Sequence, residues 1–176
     1  MKKTYVIDTN VLIQAPYALD CFEDNNLVIP LVVVEELDGL KKADGEKGAN
    51  ARSAVRTLER YRIQGDLFEG IELESGGILR IEKNFSDVEL PEDLPEDKAD
   101  NRILKVCLGL SKQEESDQNI ILVTKDLVLR LKAQLHLTEQ HREACATRES
   151  IAEAVVAWHL PLILTRREAV VLVAIV

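Results

Sequence analysis

Three short apolar segments, Thr4–Ile7, Leu27–Pro30 and Ile120–Val123, constrain this sequence more than any other feature. The third is apolar at every position (Ile-Ile-Leu-Val), the pattern of a strand covered on both faces, as in parallel sheets. A fourth segment, Ile78–Ile81, follows Gly76-Gly77 and reads as another strand. Helical patterns separate them. Pro30 opens a helix with Val33, Val34, Leu37 and Leu40 on one side, and Ala51, Ala54, Val55, Leu58 and Tyr61 repeat at helical period over residues 49–64. Asp97 can cap a helix with the core face Ile103, Val106, Cys107 and Leu110, and the period resumes at Leu127, Leu131 and Leu135. Strands alternating with helices predict an α/β fold around a parallel sheet. Residues 39–48 read as a polar, mobile connection and residues 84–96 as an acidic loop. Beyond Ala133 a helix is expected near Ser150–Trp158, followed by an apolar tail of no recognisable form.

Composition narrows the class. The chain has 176 residues, 46% hydrophobic and 30% charged, which suits one globular domain and excludes a disordered one. Cys21, Cys107 and Cys145 are odd in number and lack zinc-site spacing, so reduced thiols and a cytoplasmic location are expected. The apolar stretches Ala154–Leu164 and Ala169–Val176 fall short of the ~20 residues of a membrane span, so no membrane partner is expected. A net charge of −9 argues against a general nucleic-acid coat. The charge is uneven, however. Residues 41–65 carry seven Lys/Arg against three acids, and residues 66–100 carry three against twelve.

In open parallel sheets ligands bind beyond the carboxyl ends of the strands. Asp8 follows the first strand; Thr124 and Asp126 follow the Ile120–Val123 strand. Glu35 and Glu36 lie in the early turns of the helix after the second strand, and Asp100 lies in the first turn of the helix near Asp97. Two carboxylates ~4 Å apart repel by about 4 kcal/mol at an effective dielectric near 20, so a cluster must spread, take up protons or bind a cation. Oxygen-only ligation selects Mg²⁺ or Mn²⁺, and metal-assisted phosphodiester hydrolysis is the reaction class that follows. Each acid also has a plainer role: Asp8 or Asp126 as a helix cap, Asp100 as a partner of the helix dipole, and one of Glu35 and Glu36 as a solvated residue.

Four motifs in this order resemble the PIN domain family: Val6-Ile7-Asp8-Thr9-Asn10-Val11-Leu12-Ile13, Ile29-Pro30-Leu31-Val32-Val33-Val34-Glu35-Glu36-Leu37, Ala99-Asp100-Asn101-Arg102-Ile103-Leu104, and Leu122-Val123-Thr124-Lys125-Asp126. The spacing is similar to the PIN domain that precedes a PhoH-type ATPase, including the continuation Leu129-Arg130-Leu131-Lys132-Ala133. The resemblance implies a three-layer α/β/α fold with a central parallel sheet over residues 1–135, and a C-terminal extension, helical in part, over 136–176. It implies a Mg²⁺- or Mn²⁺-dependent nuclease acting on RNA. Asp8, Glu36, Asp100 and Asp126 would be catalytic, with Asp8, Asp100 and Asp126 on the metal and Glu36 a ligand or general base. Asn10 and Thr124 would orient them by hydrogen bonds. Lys41, Lys42, Lys47, Arg52, Arg56 and Arg60 would bind the phosphate backbone, unless they form only a solvated helix face.

No Gly-x-x-x-x-Gly-Lys-Ser/Thr occurs, so any PhoH-type ATPase partner would lie outside this sequence, which reads as a free-standing PIN protein or a piece of a longer one. A homo-oligomer stays open. The competing expectation is a catalytically weak module that binds RNA or a partner. A phosphate-accepting receiver domain needs an Asp ending the third strand, where Glu82-Lys83-Asn84 stands instead. A haloacid-dehalogenase-type phosphatase needs Asp-x-Asp, and Asn10 fills its third position. His136, His141 and His159 read as structural or surface residues, and Trp158 as core or interface.

Overall fold

The computed structural model describes residues 2–113, 120–137 and 172–175. The elements are β1 (Thr4–Ile7), α1 (Thr9–Gln14), β2 (Asn26–Pro30), α2 (Leu31–Leu40), α3 (Gly45–Arg62), β3 (Ile71–Glu72), β4 (Ile78–Glu82), α4 (Ala99–Gln113), β5 (Ile120–Thr124), α5 (Leu127–Leu137) and β6 (Leu172–Ile175). The strands form one sheet in the order β3-β4-β2-β1-β5-β6. Its four central strands are parallel, while β3 and β6 run antiparallel to their neighbours, so the sheet is mixed at both edges. Helices flank it in a three-layer α/β/α arrangement.

The chain path fixes where chemistry can sit. From β1 it moves outward to β2 and β4, then returns through α4 to β5 on the other side of β1. The direction therefore reverses between β1 and β5, and an open α/β sheet leaves a crevice at such a reversal. Val6 lies opposite both Val28 and Leu122, and Ile7 lies opposite Val123. This register brings β1 and β5 to an end at the same level. The Asp8 N–H donates to the Val123 carbonyl at 3.1 Å, one residue beyond the strand.

The core is built from the segments that the apolar pattern marks. All residues of β1 and β5 are buried, and in α4 Ile103, Val106, Cys107 and Leu110 are fully buried. Four expectations need correction. The polar connection after α2 is only residues 41–44, because Arg52 Nη1 binds the Lys41 carbonyl at 2.7 Å and ties the turn to α3. Gly48 permits this closeness: a Cβ there would stand 1.8 Å from the Ala43 carbonyl oxygen. Asp97 does not cap α4; the Lys98 carbonyl accepts the Arg102 N–H at 3.2 Å, and the helix begins at Ala99. On α5 the buried pair is Leu129 and Ala133, whereas Leu127, Leu131 and Leu135 are each more than half exposed. The helix is rotated by its polar ties, Asp126 at its start and Lys132 to α4, and the small Ala133 lets it lie close to its neighbours. The apolar tail holds a strand, β6, beside β5. The helix expected near Ser150–Trp158, with Cys145, His141, His159 and Trp158, lies outside the described residues.

The acidic stretch 83–98 is a loop, as expected, and is fastened to the fold. Phe85, Val88 and Leu94 are buried, Pro95 accepts from Asn101 Nδ2 at 2.8 Å, and Glu96 pairs with buried Lys105 at 2.6 Å. His136 Nε2 stands 3.1 Å from Asp93. Phe85 lies flat against Gly109, where an added Cβ would come within 2.1 Å of the ring. Gly109→Ala is therefore expected to destabilise the fold by about 1–3 kcal/mol, the usual cost of overpacking, despite the better helix propensity of alanine. Urea unfolding of the two proteins measures the difference.

Candidate metal centre

Asp8 ends β1 in an extended conformation (φ −83°, ψ 155°) at the position that caps α1, yet its side chain makes no cap bond. It turns instead toward β5 and is 4% exposed. Asn10 Nδ2 donates to Asp8 Oδ2 at 2.5 Å, the Thr124 hydroxyl donates to the same oxygen, and the Thr9 N–H donates to the carboxylate. Asn10 also donates to Thr124 Oγ1 at 3.2 Å, while its own Oδ1 accepts the Lys125 N–H at 3.0 Å. Both the nitrogen and the oxygen of that amide are thus engaged, which fixes its rotamer. Asn10 and Thr124 thus hold the end of β1 to the turn after β5.

The other acids approach from separate elements. Glu36 is half-buried in α2 and accepts the Thr9 hydroxyl at 2.5 Å. Glu35 is exposed and lies 3.3 Å from Arg102, so the pair divides into one inward and one solvated residue. Asp100 is half-buried in the first turn of α4, with Lys132 Nζ 3.7 Å from its Oδ2. Asp126 is exposed; its Oδ1 accepts the Leu129 N–H at 2.8 Å, a true cap of α5, and its own N–H binds Thr124 Oγ1 at 3.0 Å. One Asp126 oxygen is therefore committed and the other is not.

Burial pushes the Asp8 carboxyl up to about 6; the bonds from Thr124 and Thr9 pull it down, and the charges of Asp100 and Glu36 push it up further. Acids from two helices, Asp100 and Glu36, thus act on Asp8. They do not form a closed ligand set: among the described residues no three acidic, His or Cys side chains stand close enough to hold a metal ion as they are. The donor chemistry fits a hard divalent ion, since every candidate ligand is an oxygen and a buried carboxylate with acidic neighbours gains from one.

The basic residues are distributed differently. Lys41 pairs with Asp38 at 2.5 Å, Arg52 binds the turn carbonyls, and Arg56 Nε binds the Arg52 carbonyl at 3.2 Å. Arg60 lies 3.4 Å from Asp20 and 5.1 Å from the Tyr61 ring centre. Lys42 and Lys47 are exposed. Arg60 also lines a cleft of about 380 Å³ with Asp20, Tyr61, Glu72 and Glu74, which includes none of the candidate acids. Two polar residues of the centre escape sequence reasoning. Thr9 looks like an ordinary first-turn residue, and Lys132 like a solvated helix lysine. Only the packing of α1 on α2 and of α5 on α4 aims them inward.

This strand-end acid, with polar partners across a parallel sheet and further acids from two helices, defines a PIN-type domain. The PIN domain family profile matches residues 5–139, and the chain belongs to that family. PIN domains are generally nucleases that use divalent metal ions. The match extends past Ala133 and takes in His136. The chain is 46% identical over 137 residues to Protein PhoH2 of Bacillus subtilis (strain 168), covering 76% of this chain and 31% of that protein. It is 39% identical over 133 residues to Protein PhoH2 of Thermobispora bispora, covering 74% and 29%. With Protein PhoH2 of Mycolicibacterium smegmatis the identity is 38% over 134 residues, covering 74% and 30%. The chain spans about a third of the length of these relatives.

The raised carboxyl of Asp8 has a consequence for stability. A folded value near 6 against an ordinary 3.8 means that the folded state holds the proton more tightly, so this group favours folding at low pH. Its contribution is lost as pH rises from about 4 through 6. At neutral pH the ionised Asp8 costs up to about 3 kcal/mol in the metal-free protein. Asp8→Asn is expected to stabilise the metal-free fold at pH 7.5, with the gain vanishing by about pH 4. Denaturant unfolding of both proteins across that range gives the comparison.

Proposed function

We propose that this chain is a divalent-metal-dependent ribonuclease that hydrolyses phosphodiester bonds of single-stranded RNA. The observation that carries the reading is Asp8: an almost fully buried carboxylate at the sheet reversal, coupled to Asp100 and Glu36. Asp8, Asp100 and the uncommitted oxygen of Asp126 would hold Mg²⁺ or Mn²⁺. The bound ion would lower the pKa of an attacking water and offset negative charge on the phosphodiester. Glu36, oriented by the Thr9 hydroxyl, would serve as a further ligand or accept the water's proton. Asn10 and Thr124 keep Asp8 aimed into the crevice. Exposed Lys42 and Lys47 would contact backbone phosphates, with Lys41 in the turn after α2 and exposed Arg52, Arg56 and Arg60 along α3. A cytoplasmic location agrees with the free thiols of Cys21 and Cys107 and with the lack, among the described residues, of a helix long and apolar enough to cross a membrane.

The second reading is a catalytically weak module that binds RNA or a PhoH-type ATPase region. It is favoured by the open spacing of the acids among the described residues. Cleavage of single-stranded RNA with Mn²⁺ separates the readings. The nuclease reading expects turnover that EDTA removes, and a loss of at least about 10²-fold in Asp8→Asn with the circular dichroism unchanged. RNA binding without cleavage favours the module, and full activity of Asp8→Asn rejects the metal mechanism.

The Thr9 hydroxyl allows a finer check. Thr9→Val keeps the shape and removes the donor to Glu36, so kcat is expected to fall about tenfold with KM little changed, and Thr9→Ser to recover most of it. Steady-state kinetics on one RNA substrate reads both constants.

A further inference from the structure

Lys132 is the ammonium that reaches Asp100. Its Nζ lies 2.8 Å from Asn101 Oδ1 and 3.7 Å from Asp100 Oδ2. The closer contact is to the neutral amide. That amide cannot swing away, because Asn101 is 1% exposed and its Nδ2 is bonded to the Pro95 carbonyl at 2.8 Å. Lys132 is therefore seated by a fixed acceptor, with its charge beside an acid it does not fully engage. Its own side chain is only 24% exposed, so water screens it incompletely.

We propose that Lys132 is a built-in counter-charge for the acidic centre, which steadies Asp100 while no divalent ion is bound and weakens the binding of one. The inference rests on the nuclease reading, since it takes Asp100 as a metal ligand. In the metal-free centre the ammonium offsets repulsion among Asp100, Asp8 and Glu36. Once a divalent ion joins Asp100, the two cations repel, and the seat on Asn101 prevents Lys132 from retreating far. Both effects lower metal affinity. The centre would then load and release its ion more readily than the acids alone would allow.

The sign of the effect is the test. A residue that merely scaffolds a metal site weakens metal binding when it is removed, whereas a counter-charge strengthens it. Mn²⁺ titration calorimetry on the metal-free chain is expected to show about three- to tenfold tighter binding in Lys132→Gln and Lys132→Met, with Lys132→Arg close to wild type. Thermal unfolding supplies a second readout. The two neutral variants should melt lower than wild type without metal, and gain more from saturating Mn²⁺. Equal or weaker Mn²⁺ binding in the neutral variants, or the same shift in Lys132→Arg, overturns the proposal. A wild-type chain that takes up no Mn²⁺ overturns the nuclease reading as well; binding that is unchanged in the neutral variants overturns this inference alone.

Discussion

A carboxylate buried where a parallel sheet reverses direction is the constraint around which the rest of this molecule is arranged. The hydrophobic segments that make β1 and β5 also draw Asp8 out of water, because it follows Ile7 without a spacer and the level register leaves it beside Thr124. Burial of an ionised group is costly unless donors or a cation compensate. The fold supplies donors from Thr9, Asn10 and Thr124, yet desolvation still outweighs them and the carboxyl stays raised. A centre of this kind is incomplete as a purely structural device. A core that needed only stability would fill the position with an apolar side chain.

The polar residues around Asp8 do structural and chemical work together. Asn10 joins the strand end to the turn after β5 through three hydrogen bonds, and Thr124 receives the Asp126 N–H while donating to Asp8. Thr9 bridges two acids from different elements, its N–H on Asp8 and its hydroxyl on Glu36. Asp8 and Glu36 are thus held by hydrogen bonds from neutral donors, while Asp100 has the Lys132 ammonium beside it at 3.7 Å. Neutral donors fix position without cancelling charge, which leaves the carboxylates available to a cation.

Much of this was legible in the sequence, and the reasons are specific. The run Ile120–Val123 reads as a strand covered on both faces and Thr4–Ile7 as a buried strand, so the parallel centre of the sheet and the placement of Asp8 and Thr124 at one edge are expected from the pattern. The choice between Glu35 and Glu36 came from the motif preceding Leu37, and the packing of α1 on α2 gives it a physical basis. What stayed hidden depends on tertiary contact. A two-residue strand such as β3 has no period to read. The face of α5 was misjudged because Leu127, Leu131 and Leu135 form a cleaner stripe than the Leu129–Ala133 pair that is buried. The acidic stretch 84–96 is the loop its sequence indicates; what the pattern does not reveal is that Phe85, Val88 and Leu94, outnumbered by charge, anchor it.

That anchored acidic stretch bears on how a chain with net charge −9 can meet a polyanion. Bulk charge acts over distances that salt screens within about 8 Å at physiological ionic strength, so approach is governed by the groups nearest the contact. Near the centre those groups are Arg102, held at Glu35, and Lys132, seated on Asn101, both on helices that the strap 83–98 adjoins. The acids of the strap are partly tied inward, Glu96 to Lys105 and Asp93 to His136. The Lys105 ammonium offsets the charge of Glu96 locally without altering net charge. On the nuclease reading, a divalent ion at Asp8 and Asp100 would lower the negative potential at the crevice. On that reading the metal would do more than activate water: it would also let a phosphate approach the acids.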